Sequence, residues 1–319
     1  MLSTKKVLIA GASGMVGTNL QTELVKLNIS SVPTKCKSTL KEHDSYLLYN
    51  FKDYRQCLNA TKGIDTMVLL AGCYHGSNIR GMQANDVVFD NMKILGGLLS
   101  AAAFNSVSQI ILVSSATVYQ DLEQPFVEDI LDLNIPPPPE YAGVATMFRY
   151  IEKIAKVYSL ECKSRLVIFR PTNIYGPWDN FDSDKSKIIP AIIRKTHNKP
   201  RKISLTRATK VTRDFVFVKD FVNDIVDEIV GEVFINREVY NIGSGSAGMT
   251  IQEIAERIFS IQKIPFLYMN WIDNGDDNRS YRVNNIDKYL QIKSLGGITP
   301  LSTGLRETIQ WYRERHNTV

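Results

Sequence analysis

The chain has 319 residues, 44% hydrophobic and 22% charged, the balance of an ordinary soluble protein with either one large core or a core plus a smaller domain. A formal net charge of +5 and a pI near 8.8 are spread along the chain; this suits an anionic small ligand at least as well as nucleic acid, and a mildly basic surface better than either. Cys36, Cys57, Cys73 and Cys162 have no metal-type spacing, no apolar run approaches the roughly 18 residues of a spanning helix, and no signal-peptide core follows Met1, so a cytoplasmic protein with free thiols, no metal and no membrane partner is expected.

In chain order, Lys6-Val-Leu-Ile-Ala10 is a continuous apolar run suited to a strand buried on both faces of a parallel sheet. It leads into Gly11-Ala-Ser13-Gly14-Met15-Val16-Gly17 and a helical pattern over 18–27, the setting in which a glycine triplet reads as a phosphate cradle. Gly11 permits the tight turn, Gly14 lets the backbone approach a pyrophosphate, and Gly17 allows close helix packing, while the helix N-terminus supplies the positive end an anion needs. Strand-like runs recur at 64–71, 109–114 and 165–169 between helical segments, which predicts an α/β fold on a doubly wound parallel sheet. Ligands sit at the carboxyl ends of such strands, which directs attention to Ala71-Gly72, 115–119 and 171–176.

Pro136-Pro-Pro-Pro139 marks an extended entry into a helix opening on Tyr141-Ala-Gly-Val-Ala145. A tyrosine exchanges protons near neutral pH only if its pKa is pulled down from about 10, which a cation one turn along the same helix face would do. Position 145 is that place and is uncharged; Arg149 and Lys153, eight and twelve residues beyond Tyr141, are too far along to take the role. After residue 170 come a loop-rich stretch over 173–187, a helix near 188–196, a basic segment over 199–210, a strand near 214–218, and a helix over 250–261 entered through a Thr250/Glu253 capping box. The pattern predicts a dinucleotide-binding domain over 1–170 with a return segment near 214–243, and a smaller C-terminal α/β substrate domain over 171–319. The basic segment has no interleaved aromatics, so no nucleic-acid partner is expected.

These blocks, with 113–119, 170–181, 189–191 and 213–220, resemble in order and spacing the extended short-chain dehydrogenase/reductase family of nucleotide-sugar enzymes, and within it the GDP-fucose synthase group of GDP-sugar epimerase/reductases. The resemblance implies a Rossmann-type cofactor site formed by Gly11, Ser13, Gly14, Met15, Val16, Gly17, Lys35, Lys37, Asn50, Phe51, Ala71, Gly72, Asn91, Tyr141, Pro171, Asn173 and Ile174. It implies that Ser115 hydrogen-bonds the oxygen at the reacting sugar carbon, assisted by Thr117, while Tyr141 moves a proton as hydride passes between that carbon and nicotinamide. The family's lysine falls at Ala145, which can neither stabilise a phenolate nor clasp the nicotinamide ribose. Around a nucleotide-linked sugar, GDP-linked by this resemblance, it places His75, Ser115, Ala116, Thr117, Tyr141, Asn173, Trp178, Lys187, Ile189, Arg213 and Arg279, with the forked donors of Arg213 suited to a diphosphate. A homodimer through the Tyr141 helix and a helix over 91–104 is also implied; Met147, Ile151, Ile154, Leu95, Leu98 and Leu99 suit that interface and a core equally well.

Departures from the family pattern narrow the chemistry. The family's epimerising cysteine falls at Thr117 and its histidine at Trp178, neither of which exchanges a carbon-bound proton near neutral pH, and Ser115-Ala116-Thr117 lacks the acid pair of the 4,6-dehydratases. Redox chemistry at carbon 4 remains, as reduction of a 4-keto sugar, oxidation of a 4-hydroxyl, or both in turn as a 4-epimerase. After Ile29-Ser-Ser-Val32 the chain reads Pro33-Thr34-Lys35-Cys36-Lys37 with no carboxylate, which favours NADP(H) over NAD(H). Ala145 leaves three readings open: an inactivated lysine-to-alanine copy of a working enzyme, a non-catalytic binding homologue, or an enzyme in which water or another cation replaces the lysine. The intact cradle, serine and tyrosine favour the first, on which Ala145→Lys should raise turnover by at least two orders of magnitude, on the order of 4 kcal/mol of phenolate stabilisation being at stake.

Overall fold

The computed structural model describes residues 5–36, 46–72, 82–182, 186–198, 202–206, 211–272, 280–293 and 297–316. Its centre is a sheet of β1 (Val7–Ala10), β2 (Ser31–Lys35), β3 (Leu47–Leu48), β4 (Thr66–Leu69), β5 (Gln109–Val113), β6 (Arg165–Pro171) and, after shorter strands, β11 (Val239–Ile242). The strand order is β11-β6-β5-β4-β1-β2-β3, and every pairing is parallel. β1 and β4 are buried along their whole length, as strands covered on both faces must be. The helices α1 (Met15–Lys26), α2 (Tyr54–Thr61), α3 (Met82–Phe104), α4 (Ala142–Glu161), α5 (Ile188–Thr196) and α6 (Val218–Gly231) alternate with the strands. α3 packs on α2 and α4, and α1 packs on α6. The doubly wound Rossmann-type α/β architecture expected from the sequence is thus observed, with the carboxyl ends of all seven strands on one edge.

The C-terminal portion contributes short strands β7 (Asn173–Tyr175), β8 (Ile203–Thr206), β9 (Val211–Arg213), β10 (Phe215–Phe217), β12 (Met249–Thr250), β13 (Met269–Ile272) and β14 (Ser280–Arg282), and helices α7 (Ile251–Gln262), α8 (Asp287–Leu290) and α9 (Leu301–His316). β10 pairs with β7, β13 with β8, and β9 lies between β12 and β14. α7 opens with the expected capping box: the Thr250 hydroxyl accepts from Glu253 N, and the Glu253 carboxylate accepts from Thr250 N. One apolar cluster runs from Val7 and Ile9 of the sheet through Ile254 and Phe259 to Tyr312, so the two portions share a core.

Several boundaries differ from expectation. β2 begins two residues later than the Ile29 start and runs on through Pro33 to Lys35, because Thr34 is bonded on both sides of the strand. The 214–218 segment is divided between β10 and the first residue of α6. Leu95, Leu98, Leu99, Met147 and Ile151 are buried within the chain itself, which settles their assignment as core. α3, over Asp86–Phe104, is long and apolar enough to span a membrane by length and composition, contrary to the sequence expectation, yet Leu98, Leu99, Ala101 and Ala102 on it have no exposed surface.

Candidate active site

The turn after β1 has the geometry of a dinucleotide cradle. Gly11 has φ +95°, and a Cβ there would lie 2.7 Å from Ala71 N at the end of β4. A Cβ on Gly17 would lie 2.5 Å from Ala12 Cα and Gly11 O, so only glycine lets α1 approach β1 this closely. Gly14 is different: a Cβ would make only an ordinary 3.6 Å contact with Gly11 O, and Gly14 and Ser13 are exposed. Gly14 also caps α1 with no side-chain bond, which leaves the first-turn N–H groups directed at the rim. The residues fit a pyrophosphate. Ala71 and Gly72 continue the rim, and Gly72 lies against the buried Asn91 side chain of α3.

At the far end of the sheet Lys35 closes β2, 8% exposed, with its ammonium 5.5 Å from the centre of the Tyr46 ring. Lys37 lies outside the described residues. Asn50 is exposed, whereas Phe51 stacks on Tyr49 at 5.8 Å and belongs to the core.

Beyond β5 the chain makes a tight turn. Ser115 caps a 3-10 turn over Ala116–Val118, its hydroxyl accepting from Thr117 N at 3.2 Å, and the Thr117 hydroxyl is buried without a hydrogen-bond partner among the described residues. Tyr141 ends a second 3-10 turn, Pro139–Tyr141, and is the N-cap of α4. Pro138 at φ −52° and ψ 141° gives the extended entry expected from the proline run. Ala145, on the first full turn, has no exposed surface. Arg149 is occupied elsewhere: Nε donates to Val118 O at 2.6 Å and Nη1 to Ile135 O at 2.7 Å. Arg282 of β14 joins the two turns. Its guanidinium carbon is 4.5 Å from the centre of the Tyr141 ring, and Nη1 donates to Ala116 O at 3.2 Å.

A buried network holds this arrangement. Glu152 of α4 accepts from Ser114 Oγ at 2.5 Å and pairs with Arg170 of β6 at 2.6 Å; Arg170 donates to the Tyr119 hydroxyl, which donates to Asn241 of β11. Burial opposes charge on Arg170, but the Glu152 carboxylate outweighs it and holds the guanidinium pKa above its ordinary value. Burial pushes the Tyr119 hydroxyl up to about 12, so it stays protonated and serves as a donor.

The β7 side carries Asn173, whose amide donates to Asp214 O at 2.9 Å. Asp214 is buried; its carboxylate accepts from Phe215 N and Ser244 N and lies 3.3 Å from the Thr172 hydroxyl, and burial raises its pKa. Arg213 precedes it, part-buried, donating to Thr212 O and to Ser280. Pro171 ends β6 and Ile174 is buried in β7. Lys187 is exposed at the N-cap of α5, and Ile189 packs into the core. Trp178 has φ +69° and turns toward α9, where Arg315 lies 4.4 Å from its ring centre and 4.5 Å from that of Trp311. His75 and Arg279 lie outside the described residues.

The fold agrees with what the chain is similar to. The family described as NAD dependent epimerase/dehydratase matches residues 7–243, three quarters of the chain and the whole parallel sheet. The chain belongs to that family. Its relatives include the GDP-L-fucose synthase of Escherichia coli (strain K12), 26% identical over 333 residues, with 99% of each chain covered. Among solved structures, a GDP-L-fucose synthetase from Naegleria fowleri bound to NADP superposes with a TM-score of 0.83 at 19% identity, covering 100% of this chain and 96% of that one. A GDP-6-OMe-4-keto-L-xylo-heptose reductase from C. jejuni gives 0.86 at 17% identity, with 99% of each chain covered.

The sequence missed two side chains of this candidate site. Glu152 falls on one helical face with Ala145 and Arg149, a spacing that marks a buried polar pair awaiting a partner. Arg282 carries no local signal, since only the pairing of β14 with β9 brings it across the molecule.

Proposed function

We propose that the chain is a nicotinamide-dependent oxidoreductase acting at carbon 4 of a GDP-linked sugar, with NADP(H) as cofactor. The observation that carries this is the open Gly14 rim after β1 and the Ser115 turn after β5 at the carboxyl edge of one sheet, with Arg282 joining that turn to the Tyr141 ring, in a chain whose relatives include GDP-sugar enzymes. The dinucleotide would lie across the Gly11-to-Gly17 cradle and the Ala71-Gly72 end of β4, with Lys35 on the side of the 2'-phosphate; the stretch Lys35-Cys36-Lys37 at the end of β2 carries no carboxylate to favour the 2'-hydroxyl of NAD. A bound nicotinamide would supply or accept hydride. Ser115 holds the oxygen at carbon 4, Tyr141 donates or takes its proton, and Asn173 and Arg213 hold the sugar and diphosphate. On this reading residues 1–170 with the 214–243 return hold the dinucleotide, 171–319 hold the nucleotide sugar, and the product enters surface-polysaccharide precursor synthesis in the cytoplasm.

The same reading includes a homodimer through the outer faces of α3 and α4. Support comes from Phe89, Phe104, Tyr150, Val157 and Leu160, all large, apolar or aromatic, and exposed on those two helices.

The test is NADPH oxidation in the presence of GDP-4-keto sugars, together with mass spectrometry of small molecules released from the purified protein. Tyr141→Phe is expected to lower turnover by roughly a hundredfold or more with dinucleotide affinity retained. A parent protein that binds NADPH and GDP-sugar yet turns over neither a 4-keto nor a 4-hydroxy substrate would establish the competing reading, a non-catalytic binding homologue, which the lack of a cation at position 145 motivates.

A further inference from the structure

Arg282 is built into the site. It ends β14, opposite Arg213 in the register with β9, and is 5% exposed. The backbone around it is tied to the loop after β5: Phe126 N donates to Val283 O at 2.8 Å, and Asn285 N donates to Phe126 O at 2.8 Å. The Arg282 carbonyl accepts from Asp214 N at 3.2 Å. The guanidinium carbon lies 5.5 Å from the centre of the Phe126 ring and 4.5 Å from that of the Tyr141 ring. Only Nη1 finds a hydrogen-bond acceptor; Nε and Nη2 are buried without one among the described residues. Burying a cation with so few acceptors is costly unless a negative charge or an aromatic face compensates, and a tyrosine that cycles through its phenolate offers both.

We propose that Arg282 takes the electrostatic role of the lysine absent at position 145, stabilising the Tyr141 phenolate. The assignment rests on the carbon-4 redox reading. In the reductive direction the Tyr141 O–H bond breaks, its proton passes to the oxygen on carbon 4 as that carbon accepts hydride from the nicotinamide, and the phenolate left behind regains a proton from solvent. A positive charge this close to the ring favours that phenolate whatever element carries it. Arginine keeps its charge at any pH of turnover, so Arg282 acts as a fixed field and relays no proton. Burial lowers its pKa, Tyr141 raises it, Arg213 lowers it, and Glu140 and Asp121 raise it. Position 145 can then be alanine in a working enzyme.

The decisive comparison uses the full chain, Arg282→Gln, Arg282→Lys, Ala145→Lys and the Arg282→Gln/Ala145→Lys pair, assayed with NADPH and a GDP-4-keto sugar. Arg282→Gln is expected to lower kcat by roughly a hundredfold, Arg282→Lys by no more than about tenfold, and Ala145→Lys to restore roughly tenfold or more in the Arg282→Gln background while adding less than about tenfold to the parent. An Arg282→Gln variant with unchanged kcat and a raised KM for the GDP-sugar overturns the assignment and makes the residue a diphosphate clamp. A gain of roughly a hundredfold from Ala145→Lys in the parent also overturns it, because the phenol then had no cation. Ultraviolet titration of tyrosinate without substrate or cofactor separates this inference from the function it rests on. The ionisation removed by Tyr141→Phe should move to higher pH in Arg282→Gln, even in a chain that turns over no sugar. No movement rejects the pairing.

Discussion

Asp224 sits on α6 with 2% of its surface exposed, accepting from the Tyr289 hydroxyl at 3.1 Å and lying 3.2 Å from Lys293 Nζ. Burial pushes its carboxyl up to about 7 against the lowering pull of Lys293. An unfolded aspartate releases its proton near pH ~3.9, so between about pH 4 and 7 the folded chain binds more protons than the unfolded one. The stability from this group is full below that window and is lost as pH rises through it. Asp224→Asn should remove the loss: the parent should show a higher urea midpoint near pH ~5 than near pH ~8, and the variant a smaller difference. A parent with equal midpoints and an unchanged variant would contradict this. The same scale sets the limit on what the chain alone reveals. Tyr141, Ser115 and the empty charge at 145 are legible because motif spacing marks them, whereas Arg282 reaches Ala116 from 166 residues away through a strand pairing that no local pattern announces.

The β1–turn–α1 unit was legible almost in full, since its constraints are local: a buried run, a glycine at positive φ, and a glycine against which backbone packs. Helix starts were less so. Tyr141 is the cap of α4 where the sequence suggested its first turn, because the proline run continues into a 3-10 turn before the helix begins. Short strands such as β9 and β14 have too few residues for a periodic signal, and they are the ones that place Arg213 and Arg282. At this scale Gly17→Val is the informative change. Its side chain would strike Ala12 and Gly11 backbone, which cannot move out of the way without parting α1 from β1. A stability loss of about 1–3 kcal/mol in urea unfolding and at least a tenfold loss of NADPH affinity are expected. Unchanged dinucleotide binding in that variant would show that the cradle is not where the cofactor lies.

At the scale of the molecule, seven parallel strands bring the ends of β1, β4, β5 and β6 to one edge, and the β7–β10 and β9–β14 pairings lay Asn173, Arg213 and Arg282 over it. The order of those blocks along the chain made the sheet foreseeable; the continuity of its core into α5, α7 and α9 was not, because apolar residues there read equally well as a separate domain. On the proposed reading this edge carries out hydride exchange with proton transfer, and Thr117 and Trp178 offer no group to exchange protons at sugar carbon. Isotope tracing tests both halves together. With deuterated NADPH and a GDP-4-keto sugar in ordinary water, the account predicts deuterium at carbon 4 of the product; in heavy water with unlabelled NADPH it predicts none at carbons 3 and 5. Solvent deuterium at carbon 3 or 5, or no transfer from the nicotinamide to carbon 4, would contradict it.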